Sequence, residues 1–213
     1  FFVQGEQYQK ILSEFFPSEN IEVIGPLKKI EQPLSVKNDI FEGLLHSKKK
    51  LLLLAPSVGD DYKIIFSFFK DWISPKDWQI VLCPHPMSDT DKISSYKNEY
   101  IGNIDISIMP KGLTYEVLSK SDLVVSTNST IALEAIIFGV ESVRLRPIGR
   151  VSQFDNDERI ISFTSSFLFQ EWLNNFSPDK EKDLSKELIN DYFYKNDGKA
   201  SSRVWDFIEK RIN

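Results

Sequence analysis

Short apolar blocks recur along the middle of this chain, separated by stretches whose apolar positions follow a helical spacing. Leu51 to Ala55, Gln79 to Cys83, Ile104 to Met109, Leu123 to Ser126 and Ser142 to Leu145 form the blocks. Each reads as a strand. The intervening segments read as helices: an amphipathic one through Ile73, a polar one from about Asp89 to Tyr100, a short one over Thr114 to Lys120, and one ending at Phe138. Gly139 is suited to the C-terminal cap of the last of these. Continuous apolar strands alternating with helices predict an α/β fold, a Rossmann-like parallel sheet of about five strands with helices on both faces.

The flanks follow a looser pattern. Phe1, Phe2 and Val3 suit the end of a strand, and Glu6 to Phe16 a helix burying Tyr8, Ile11, Leu12, Phe15 and Phe16. Ile21 to Ile24 reads as a short strand closed by the Gly25-Pro26 turn signal. Residues 27–36 have the mixed charge of a linker, and Asn38 or Asp39 is suited to cap a helix to about His46. The tail from Phe167 to Ile212 reads as mainly helical, with Trp172, Leu173, Trp205, Phe207 and Ile208 as packing residues.

Composition narrows the classes. An apolar fraction of 41% with sixteen Phe and nine Gly suits a helix-and-sheet interior. A net charge of −5 argues against a general nucleic-acid binder. The lone cysteine, Cys83, sits in an apolar strand, which fits a reducing compartment and an inert buried thiol. The longest apolar run, Leu51 to Pro56, is too short to span a bilayer, and no signal-peptide pattern opens the chain. The expected location is cytoplasmic, with peripheral association at the inner membrane. Because the chain does not start with Met, it reads as a fragment or a processed form.

In such sheets ligands bind beyond the C-terminal ends of the strands, a rule that selects three loops: 57–61, 84–87 and 126–130. His85 stands between Pro84 and Pro86 at a strand end. A histidine held there suits donation to a phosphate or protonation of a leaving oxygen; the alternative is an ordinary turn histidine. Ser126, Thr127, Asn128, Ser129 and Thr130 join a strand to a helix. Their hydroxyls and backbone N–H groups suit an anion, whereas Asn128 or Ser129 equally suits a plain N-cap. Glu134 follows in an otherwise apolar helix and reads either as an exposed stripe or as an acceptor for ribose hydroxyls. Ser57 and Gly59 occupy the first loop, where a glycine permits close approach of the backbone to a ligand. No dinucleotide, P-loop or zinc-enzyme motif is present. Asp60, Asp61, Asp89 and Asp91 read better as acidic residues at helix starts than as metal ligands, so neither metal nor cofactor is expected.

The run Ile80 to Pro86, followed by Ser126 to Ala135 with Gly139 closing the helix, resembles the C-terminal domain of GT-B glycosyltransferases. The resemblance is to the capsule and surface-polysaccharide type: sialyltransferases, polysialyltransferases and β-Kdo transferases. Asn196 to Arg203 also looks like the ending of such proteins. The resemblance implies that His85 contacts the donor phosphate and assists departure of the nucleotide. It further implies that Ser129 and Thr130 bind phosphate and that Glu134 lies near the ribose. Ser57, Gly59, Pro86, Ser126 and Asn128 complete the expected nucleotide site. The chain departs from the family's serine pair, having Ser129-Thr130 after Asn128.

On this reading, residues 1–36 are the end of a preceding domain and a linker, and residues 37–213 are the donor-binding domain. The donor is a nucleotide sugar, CMP-activated by preference, and the acceptor a polysaccharide or glycolipid. The general base belongs to an N-terminal domain without a clear counterpart in this chain. Three alternatives remain open: a UDP-sugar 2-epimerase-like domain, whose Gly-rich loop is missing here, a CDP-glycerol phosphotransferase-like domain, and a non-catalytic interaction module.

Overall fold

A computed structural model describes residues 1–31, 49–59, 62–72, 77–101, 104–146, 155, 157–178 and 185–212. The helix expected up to His46, and Asp60 and Asp61, lie outside the described residues. The chain divides into two compact units, residues 1–31 with 181–213, and residues 32–180. The sequence pattern groups everything after residue 36, whereas the structure joins the final segment to the first one.

In the first unit, β1 (Phe2–Val3) and β2 (Glu22–Val23) pair in parallel, with α1 (Glu6–Ser13) between them in sequence. Helix α1 packs on α7 (Ser185–Phe193), where Tyr8 and Tyr192 meet edge-on at 5.9 Å. Phe15 and Phe16 lie beyond the end of α1 and are exposed, so the expected apolar face stops at Leu12. Asn196 mimics a backbone partner: its side chain accepts from Ile30 N at 2.7 Å and donates to Ile30 O at 2.6 Å. Arg203, on α8 (Ala200–Ile212), donates to Ile24 O at 2.8 Å and to the Asp197 carboxylate. Trp205, expected to pack, is 62% exposed.

The second unit is built on a parallel sheet of six strands: β3 (Lys50–Ala55), β4 (Trp78–Leu82), β5 (Ile106–Ile108), β6 (Leu123–Ser126), β7 (Glu141–Leu145) and β8 (Ser162–Phe163). Their order across the sheet is β5-β4-β3-β6-β7-β8. Strand residues alternate between faces, and two separate cores follow from that. Leu52, Leu54, Ile80, Leu82, Leu123, Val125, Val143 and Leu145 pack with Ile65 and Phe66 of α2 (Tyr62–Ser67), Ile93 of α3 (Thr90–Tyr100) and Phe169 of α6 (Ser166–Asn175). Leu51, Leu53, Val81, Cys83 and Val124 pack against Val117 and Leu118 of α4 (Thr114–Leu118), and against Ile131 and Ala135 of α5 (Ile131–Ile137). Leu52 and Leu53 are fully buried on opposite faces, each contributing about 1.5–3 kcal/mol of apolar burial. The fold is therefore a Rossmann-like α/β sheet covered on both sides.

Two details set the edges of this unit. Gly139 has φ 69°, and Val140 N reaches Ala135 O at 3.0 Å while Gly139 N reaches Ile136 O at 3.0 Å. This double bond pattern closes α5, and the left-handed backbone it needs favours glycine. Strand β8 has no counterpart in the expected strands. Two residues carry no readable period, and their pairing comes from Arg144↔Ser162 and Leu145↔Phe163.

Candidate nucleotide site at the strand ends

After β3 the chain builds β4 and β5 on one side of the sheet, then crosses to build β6 on the other side of β3. The order reverses between β3 and β6, and the crevice for ligands in such sheets opens beyond the C-terminal ends at that point. The loops at 57–59, 84–88 and 126–130 follow β3, β4 and β6, which are hydrogen-bonded neighbours. With strands about 4.8 Å apart, the starts of the outer two loops are about 10 Å from each other. The strand order thus brings the three loops together.

His85 is half-buried in a tight turn, with Ser88 N donating to His85 O at 2.8 Å. Met87 N donates to His85 Nδ1 at 3.2 Å. With Nδ1 accepting, a neutral ring carries its proton on Nε2. Tyr62 Oη donates to Ser88 Oγ at 2.9 Å and anchors the turn to α2, and the exposed Pro86 lies between. Asp89 is the N-cap of α3, accepting from Asp91 N at 3.0 Å and Lys92 N at 3.1 Å, so its acidity serves the helix start.

The loop after β6 is organised differently from a simple cap. Asn128 Oδ1 accepts from Arg144 Nη2 at 2.9 Å and does not cap α5. Ser129 Oγ accepts from Ile131 N only at 3.4 Å, a long and weak bond. Thr130 Oγ1 donates to Glu134 Oε1 at 2.9 Å, and Tyr115 Oη donates to Glu134 Oε2 at 2.5 Å. Glu134 is therefore neither an idle exposed carboxylate nor an empty acceptor. Each of its oxygens holds one donor and keeps further lone-pair capacity. Burial, and then Glu134, push the Tyr115 hydroxyl far above its ordinary pKa, so it remains a donor. Ser126, the last residue of β6, is fully buried and its Oγ has no hydrogen-bond partner among the described residues.

Ser57 is half-buried at the end of β3. Gly59 has φ 75°, and a Cβ there would meet nothing within 4 Å. This left-handed backbone angle favours glycine. Cys83 is buried, and desolvation foremost, then Glu116, push its thiol up to about 12. It stays protonated at neutral pH. Among the described residues no group of three or more His, Cys, Asp or Glu gathers, and no helix is long and apolar enough to cross a membrane.

Two residues that shape the site were not singled out from sequence. Tyr115 gives no signal, being one aromatic in a short helix. Arg144 does give one: it interrupts the apolar strand Val143 to Leu145, and it is 1% exposed.

No protein family and no curated protein matches the sequence. Solved structures do match the fold. The S. aureus MnaA–UDP co-structure superposes with a TM-score of 0.69 at 19% identity, over 100% of this chain and 59% of that one. The UDP-GlcNAc 2-epimerase from Neisseria meningitidis bound to UDP-GlcNAc gives 0.65 at 16% identity, over 98% and 61%. The wall teichoic acid polymerase TagF gives 0.57 at 16% identity, over 99% and 57%. This chain is similar in fold to these GT-B-like proteins and spans about three fifths of their length. The likeness is one of fold and does not extend to the capsule sialyltransferase type in particular.

Proposed function

We propose that this chain supplies the nucleotide-binding side of a GT-B-type enzyme acting on a nucleotide-activated sugar. One observation carries the reading: a histidine turn, a hydroxyl-rich loop and a supported carboxylate follow neighbouring strands at the point where the sheet order reverses. In this proposal the Ser129 hydroxyl, Ser57 and the loop backbone bind the phosphate. His85 Nε2–H donates to it and neutralises charge as the nucleotide departs. Glu134, steadied by Tyr115 and Thr130, accepts from the ribose diol. Because Thr130 has a single hydroxyl proton, engaged by Glu134, the phosphate role falls on Ser129. The general base is proposed to belong to an N-terminal domain, as the resemblance implies.

The transferase reading takes a CMP-sugar as donor and a surface polysaccharide or glycolipid as acceptor. A second reading, a UDP-sugar 2-epimerase or a CDP-glycerol transferase, is favoured by the fold likeness to MnaA, the N. meningitidis epimerase and TagF. Against the epimerase stands the loop itself, in which Asn128, Ser129 and Thr130 occupy a place where glycines are expected. Calorimetry with CMP, CDP and UDP separates the readings. Tightest binding of CMP supports the transferase, and preference for UDP or CDP overturns the CMP-sugar donor. Binding of none of the three leaves a non-catalytic interaction module.

A further inference from the structure

We infer that Arg144 is a positioning residue that holds the loop 126–130 in its phosphate-accepting orientation; this rests on the nucleotide-binding reading above. Along β7, Val143 and Leu145 face the core that contains α2, α3 and α6, so Arg144 faces the opposite side. There it is the register partner of Ser126. Its Nε donates to Thr127 O at 2.8 Å, its Nη2 to Asn128 Oδ1 at 2.9 Å, and its Nη1 lies 3.5 Å from Asp155 Oδ1. Asp155 also lies 3.3 Å from Arg146 Nε.

A guanidinium is seldom fully buried unless paired, and a central parallel strand asks only for an apolar side chain at this position. What the arginine adds is direction. In a trans peptide the carbonyl and the following N–H point opposite ways, so drawing Thr127 C=O toward Arg144 turns Asn128 N–H away from the guanidinium. A charged partner on that carbonyl also polarises the peptide and strengthens the N–H as a donor. The second arm holds Asn128 by its side chain, which keeps it from capping α5 and leaves Ser129 only weakly engaged. A planar fork holds both acceptors in one fixed geometry, whereas an ammonium on a flexible stem does not fix their directions.

The test compares Arg144→Lys, Arg144→Met and Asn128→Ala with the wild-type 213-residue chain. It uses calorimetry with CMP, CDP and UDP against cytidine and uridine, and amide hydrogen exchange of residues 127–130. Arg144→Lys is expected to weaken the wild type's best nucleotide roughly tenfold and its nucleoside less than about twofold. Exchange in the loop is expected to quicken while β3 and β6 stay protected. Equal loss for nucleotide and nucleoside, or unchanged affinity despite quickened exchange, overturns the positioning role and leaves the nucleotide reading standing. Unchanged exchange overturns it as well. Absence of nucleotide binding by the wild-type chain overturns the functional reading, and the phosphate-orienting role with it. If Arg144→Met does not fold, Arg144→Lys and Asn128→Ala carry the same comparison.

Discussion

Tyr115 and Glu134, nineteen residues apart, share a 2.5 Å hydrogen bond that ties α4 to α5 beneath the loop after β6. It gives a carboxylate in an otherwise apolar helix a fixed direction. Tyr115→Phe is expected to cost about 1.5–3 kcal/mol in urea unfolding, the range for a bond to a charged group. It should also weaken cytidine more than 2′-deoxycytidine, since a displaced Glu134 meets the ribose diol poorly. Equal effects on the two nucleosides would remove Glu134 from the ribose site.

Ser129 and Thr130 separate by their partners. Ser129→Ala should weaken CMP roughly tenfold and cytidine little, because only CMP carries the phosphate. Thr130→Ala releases Glu134 and should weaken both ligands alike. Parallel titrations of each variant check this. Equal loss of CMP and cytidine in Ser129→Ala ends its assignment to phosphate.

His85 uses one ring nitrogen for its own turn and presents the other. Asn at this position is able to accept from Met87 N as Nδ1 does, but lacks the Nε2 donor. His85→Asn should retain the turn, whereas His85→Ala should lose about 0.5–1.5 kcal/mol of stability. Both should weaken CMP selectively over cytidine. Unimpaired CMP binding in both variants would reduce His85 to a turn residue.

Cys83 titrates at higher pH in the folded chain than in the unfolded one. Its thiol is raised from an ordinary 9.0 to about 12, so burial favours the protonated form. The contribution is fully present below pH 9.0 and lost as pH rises toward about 12. Native protein should therefore resist a thiol reagent at pH 8 and react once unfolded. The stability of Cys83→Ala should fall less than that of the wild type between pH 9 and pH 11. Rapid modification of the native chain would contradict the buried position.

Much of this fold was legible in residue order. The strands at 50–55, 78–82 and 123–126 are buried on both faces, so mostly apolar blocks mark them between helical periods, whereas those at 106–108 and 141–145 keep only a short or interrupted apolar pattern. Gly139, placed after the last periodic residue, forecast the end of α5, and the alternation forecast a parallel sheet. The loops bearing His85 and Ser129 were legible for the same reason, being the polar segments that follow buried strands. Sequence order is local, and these are properties of neighbours along the chain.

Partner choice was decided elsewhere. Asn128 and Thr130 are each competent to cap a helix by side chain, yet neither does so. Arg144 across β6–β7 and Glu134 across the turn of α5 take them instead, through hydrogen bonds at 2.9 Å. Two-residue β8 exists only because β7 offers it an edge, and Trp205 sits on the exposed face of a helix whose spacing alone suggested packing. A hydrogen-bonding side chain binds whichever acceptor or donor the fold brings within about 3 Å. The pattern of apolar residues therefore determined the sheet, and the packing of the sheet and helices determined which polar atoms meet.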